Sequence, residues 1–207
     1  MLAMVIAIAF TSCKKEDVSA SSDITTQINT LPNEPLSADE ILSLKIMREE
    51  EKLAHDVYVT LYNKWKVNVF SNISSSEQTH TSAIYTLLKK YNITDPVGSN
   101  ALGVFADSNM QALYTSLVTE GNKSVLDAFK VGATIEDLDI YDLNNWNSKI
   151  DNQDIKFVYQ NLNKGSRNHM RSFYSQVVSA GGSYSAQFIS QSELEAIINT
   201  PKETGSW

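Results

Sequence analysis

The sequence predicts an all-α protein, a four-helix bundle with a long connection between its second and third members and additional short helices. Three observations carry this. Four long segments repeat apolar residues at alternating three- and four-residue spacings, the period of a helix face turned to a core. No segment shows the two-residue alternation of a half-buried strand, and no internal repeat is present. Helix start and stop residues bracket the periodic segments. At 207 residues, 42% hydrophobic and 20% charged, the chain is long enough for one domain with a real core and too short to suggest two.

The elements follow in order. Leu2 to Phe10 is an uninterrupted apolar run, far short of the roughly 20 residues that cross a bilayer, and reads as the apolar segment of an export signal. Phe10-Thr11-Ser12-Cys13 resembles a bacterial lipobox, so residues 1–13 are expected to be a lipoprotein signal with Cys13 as its lipidated cysteine. Cys13 is the only cysteine, which excludes an internal disulfide. Residues 14–36 are rich in Ser, Thr, Asn and Asp and are expected to be a flexible tether. Ser37 with Glu40 three residues on forms a capping signature that starts the first long helix, about Ala38 to Trp65. The second is expected from about Ser71 to Tyr91. A loop over 92–107, with Pro96, Gly98 and Gly103, leads to a shorter helix carrying Met110, Leu113, Tyr114 and Leu117 and ended by Gly121. The third long helix is expected over about 124–143, and a polar break over 144–151 precedes the fourth, about Asn152 to Ala180, stopped by Gly181-Gly182. A last short helix, Ser192 to Asn199, completes a domain over 37–200 and leaves residues 201–207 as a tail.

The four stripes are not purely apolar, and that is where chemistry enters. The first reads Leu44, Met47, Glu51, Ala54, Tyr58, Leu61, Trp65; the second Phe70, Ile73, Glu77, His80, Ile84, Leu87, Tyr91. The third reads Leu126, Phe129, Ala133, Glu136, Ile140, Leu143; the fourth Ile155, Tyr159, Leu162, Ser166, His169, Phe173. A carboxylate or imidazole on a core-facing stripe costs free energy unless something pairs with it, and a metal ion is a common partner. A lone Glu on two helices with Glu-x-x-His on the other two is the pattern of di-iron carboxylate bundles. This chain supplies Glu51, Glu77, His80, Glu136 and His169, but has Ser166 three residues before His169 where a Glu would complete the pattern. Asp139 lies at the edge of the third stripe, where it could replace that carboxylate or stand as an exposed acid. Glu50 is the alternative to Glu51, since Glu49, Glu50 and Glu51 run together. His55 next to Asp56 reads as a rim residue. Tyr58 and Tyr159 read as core aromatics, each with a hydroxyl able to serve a neighbouring ligand.

Arg48-Glu49-Glu50-Glu51-Lys52-Leu53-Ala54-His55-Asp56-Val57-Tyr58, Ser76-Glu77-Gln78-Thr79-His80, the run from Val131 to Ile140, and Gly165-Ser166-Arg167-Asn168-His169 together resemble the ferritin-like superfamily. More closely they resemble a prokaryotic family described as a domain of unknown function, DUF2202. The resemblance implies a ferritin-like bundle with a long crossover. Within it Glu51 would be the first-helix Glu, Glu77 and His80 the second-helix pair, Glu136 the third-helix Glu and His169 the fourth-helix His. It implies one or two iron or manganese ions and ferroxidase-like or peroxide-reducing chemistry. The alternative is a non-catalytic helical module whose buried Glu and His form a polar network without metal.

A formal net charge of −7 argues against nucleic acid or an anionic membrane surface as partner. The expected partners are metal ions and, through a lipid on Cys13, the membrane of a Gram-negative-type cell envelope; a homodimer is compatible with the sequence.

Overall fold

The structure, a computed structural model, describes residues 17–205; the expected signal and Cys13 lie outside the described residues. Seven α-helices, and no strands, are present among the described residues: α1 (Asp17–Thr30), α2 (Ala38–Trp65), α3 (Asn68–Lys90), α4 (Ser108–Gly121), α5 (Val125–Asn147), α6 (Gln153–Ser179) and α7 (Gln191–Ile198). None of them is long and apolar enough to cross a membrane.

Four long helices, α2, α3, α5 and α6, surround the centre. Helix α2 packs on α3, α3 on α6, α6 on α5 and α5 on α2. Lys66 ends α2 in the left-handed conformation at φ 57°, and α3 starts two residues later, so these helices run antiparallel. Tyr91 at the end of α3 bonds Asp154 at the start of α6, while Glu77 approaches His169, so α3 and α6 also oppose each other. Helix α4 lies in the long connection and packs on both α2 and α5. The chain therefore passes from α3 across to α5, which sits diagonally opposite.

The start of α2 is built as expected: Ser37 Oγ accepts from the Glu40 amide at 3.2 Å, and Glu40 Oε2 accepts from the Ser37 amide at 2.8 Å. The Glu40 carboxylate does more than close this box. Its other oxygen accepts from the amides of Asp151 and Asn152 at 3.1 and 3.0 Å, tying the start of α6 to the start of α2. Burial opposes the charge on Glu40, but these four hydrogen bonds hold its pKa below the ordinary value.

Three boundaries differ from expectation. Helix α3 begins at Asn68, three residues early, because the αL turn at Lys66 lets helical geometry resume at once. Helix α5 continues to Asn147 through part of the expected polar break, since Trp146 packs on the core beside Leu143. The stretch read as a tether contains α1, whose Ile24 and Ile28 are buried against Leu44, Leu87 and Tyr159. Lys90 Nζ donates to the carbonyls of Ile28, Leu31 and Pro32 at 2.9–3.1 Å, closing the end of that helix. Polar composition hid α1, which carries Ile24 and Ile28, four residues apart, on its docked face. The tail is also held, since Glu203 pairs with Arg167 and Arg171 on α6.

Candidate metal centre

Midway along the four long helices, Glu51, Glu77, His80, Glu136 and His169 converge, and none is more than 8% exposed. Two of the protein's three histidines are therefore spent in one buried cluster. Glu77 is its hub. Its Oε2 lies 2.7 Å from His80 Nδ1, and its Oε1 lies 2.8 Å from His169 Nδ1. The i, i+3 spacing puts Glu77 and His80 on one face of α3, and the antiparallel α6 delivers His169 from the other side. Glu51 Oε2 reaches His80 Nδ1 at 3.2 Å, and Glu136 Oε2 stands 3.5 Å from His169 Nδ1. The imidazoles stack with centroids 5.5 Å apart at 26°.

Two groups of three result, each compact enough for one ion: Glu51, Glu77 and His80, and Glu77, Glu136 and His169, with ligand atoms within 4.8 Å of one another in each. Glu77 belongs to both. Glu51 Oε1 is buried with no hydrogen-bond partner, while His169 Nδ1 has the Glu77 carboxylate as an ion-pair partner but no formal hydrogen bond. A buried carboxylate oxygen is rarely left unpaired, and a cation in the first group would partner Glu51 Oε1. The donor set of carboxylate oxygens and imidazole nitrogens suits ferrous or manganous ion.

The electrostatics of the metal-free cluster are those of protons standing in for cations. Burial alone raises Glu77, but His169 and then His80 outweigh it and hold the carboxyl well below the usual range. Burial disfavours the imidazolium of His80, yet Glu77 and Glu51 keep its pKa well above normal. His169 is likewise pushed up to about 9, burial being outweighed by Glu77 and Glu136. Glu51 rises to about 7 through burial, with His80 opposing and Glu77 adding to the rise. Burial also raises Glu136, against the pull of His169.

Supporting residues fix the ligands. Tyr58 Oη donates to Glu136 Oε1 at 2.5 Å, so this seam tyrosine does more than pack. Tyr159 instead bonds Ser43 at 2.9 Å, away from the centre. Ser76 Oγ lies 3.1 Å from His169 Nε2. Gly165 admits His80: a Cβ there would lie 2.6 Å from Cε1 and Nε2 of the ring. Neither Ser76 nor Gly165 stands out in the sequence, although both belong to segments that carry the family resemblance.

The remaining candidates separate cleanly. Glu50 is outside both ligand groups; it meets the half-buried Asp142 and lines a cavity of about 20 Å³, room for one water, that also touches Glu77, Glu136 and Asp139. His55 is partly exposed and pairs with Asp56 at 2.9 Å, as a rim residue would. Glu49 accepts from the amides of Ala106 and Asp107 ahead of α4. Asp137 turns away from Glu136 and accepts from Tyr184 Oη at 2.7 Å and the amides of Gln187 and Ile189, holding the segment after α6. Asp139 is also outside both ligand groups, but it turns toward α6, where Ser166 Oγ donates to its Oδ2.

Residues 40–201 match the family described as "Uncharacterized protein domain (DUF2202)". The chain is 56% identical over 178 residues to "Uncharacterized protein MJ0754" of the archaeon Methanocaldococcus jannaschii, an alignment covering 86% of this chain and 96% of the relative. The crystal structure of hypothetical protein MJ0754 from Methanococcus jannaschii superposes with a TM-score of 0.82 at 57% identity, covering 84% of this chain and 99% of that one.

Proposed function

The chain belongs to the DUF2202 family, and we propose on that premise that its buried cluster holds one or two transition metal ions, iron or manganese, in a ferritin-like bundle. The observation that carries this reading is the shared carboxylate: Glu77 presents one oxygen to each of two Glu/His groups that lie on four different helices. Glu51 and His80 would complete one ion's protein ligands, and Glu136 and His169 those of the other. Bound there, each ion would supply one electron, so that a pair could support ferroxidase chemistry or the two-electron reduction of peroxide. The protein's part is to hold the ligands dry and aligned. Tyr58 orients Glu136, Ser76 orients His169, and Gly165 leaves His80 its place over α6. The one-water cavity beside Glu77, Glu136 and Asp139 gives a small molecule a place to approach and excludes a larger one.

Elemental analysis tests the reading directly. Protein purified without chelator and offered ferrous or manganous ion anaerobically is expected to retain about two ions per chain, and a melting temperature that rises on loading and falls back with chelator. No uptake of either ion would leave the cluster as a polar network that only sets helix register.

The N-terminal sequence supports a second part of the reading, that the bundle hangs from a lipid on Cys13 in a cell envelope. Expression in a lipoprotein-processing host with radiolabelled palmitate is expected to label the chain, and Cys13→Ser to abolish the label. Persistent labelling of that variant would refute the anchor.

A further inference from the structure

The fourth helix lacks the carboxylate its stripe calls for, and the structure shows what stands in that space. Ser166 is 1% exposed, and its short side chain faces α5 through its hydroxyl. Asp139 of α5 meets it there, with Oδ2 accepting from Ser166 Oγ, which also lies 2.9 Å from the Leu162 carbonyl. Glu136 and Asp139 are three residues apart and so share one face of α5. Asp139 lines the same small cavity as Glu77 and Glu136.

We propose that Asp139 is the fourth carboxylate ligand of the centre, moved from α6 to α5, and that Ser166 is a positioning residue that holds it. This rests on the metal-centre reading and adds to it a ligand set of four carboxylates and two imidazoles with an unusual helix of origin. Asp139 stands outside the two compact ligand groups, and the buried Glu51 Oε1, which has no hydrogen-bond partner, is the atom of the first group open to an ion that Asp139 would share. Burial, reinforced by the charges of Glu51 and Glu136, raises the Asp139 pKa well above normal, in keeping with a carboxyl placed among the other ligands.

The experiment compares ion stoichiometry and affinity, by anaerobic calorimetric titration with Mn²⁺, in the whole protein and three variants: Asp139→Asn, Ser166→Ala, and Asp139→Ser combined with Ser166→Glu. Asp139→Asn is expected to lose the second ion or bind it at least tenfold more weakly. Ser166→Ala should weaken it severalfold, and the double exchange should restore two ions. Metal-free Asp139→Asn should melt no lower than the parent, since the change keeps shape and removes an acid from an acidic cluster. If it does unfold, the double exchange alone decides, and failure to bind a second ion overturns the proposal. Two ions at parental affinity in Asp139→Asn would also overturn it and leave the metal centre standing. No ion in the parent would overturn both.

Discussion

Glu77→Gln is expected to release both ions, where loss of any other single ligand should release one. The amide keeps the side chain's shape but offers one carbonyl oxygen in place of two carboxylate oxygens, and Glu77 alone belongs to both ligand groups. The metal-free protein should also register the change. Glu77 stands 2.7 Å from His80 and 2.8 Å from His169, and its charge is the strongest support of each imidazolium. Without it, both imidazole pKa values should fall, visible in an NMR titration of the ring protons. Breaking a buried ion pair by removing one member costs about 3–5 kcal/mol. The loss here should sit at the lower end, because the two histidines can shed their protons instead of remaining as unpaired charges. Denaturant unfolding of the chelated protein measures it. Two ions bound at parental affinity by Glu77→Gln would place the metal somewhere other than this cluster.

The second large effect is on the pH dependence of stability, and the loaded and metal-free proteins should diverge. In the metal-free protein Glu51 carries a folded pKa of about 7 against an ordinary 4.5, so the folded state binds the extra proton and stability falls as pH rises between those values. His169, raised from 6.5 to about 9, stabilises fully below 6.5 and loses that contribution as pH climbs through about 9. Glu77 acts the other way: its depressed pKa gives stability present above 4.5 and lost only as pH drops toward its folded value. The metal-free melting temperature is therefore expected to decline from about pH 5 to pH 9, each proton contributing at most about 1.4 kcal/mol per pH unit within its window. Metal must displace these protons, so its apparent affinity should rise over the same range. Thermal melts with and without Mn²⁺ at pH 5, 6, 7 and 8 should show a gap that widens with pH. A gap independent of pH would mean that binding displaces no proton from Glu51 or His169.

Much of the architecture was legible because the four long helices advertise it. Ser37 and Glu40 are close in sequence and predict the start of α2, while three- and four-residue spacing predicts which side of each helix is buried. The same spacing singled out Glu51 over Glu49 and Glu50, and Glu136 over Asp137. In each case the stripe residue lies in the cluster, while Glu49 accepts from the amides just ahead of α4 and Asp137 pins the segment after α6. Helix α1 was not legible. Its burial depends on two isoleucines meeting a surface made by α2, α3 and α6, and no local pattern encodes that.

By itself, then, the sequence determined the all-α class, the faces of the long helices and the identity of the five inward Glu and His residues, because helical periodicity is a local property of the chain. Only the tertiary structure decided which of them meet. That Glu77 lies between both histidines depends on α6 running antiparallel to α3. That Tyr58 serves Glu136, and that Asp139 meets Ser166 instead of solvent, depends on the packing of α5 against α2 and α6. These contacts join residues 27 to 92 positions apart. At such separations, geometry is set by how helices pack and cross, and the spacing of residues along any one of them carries no record of it.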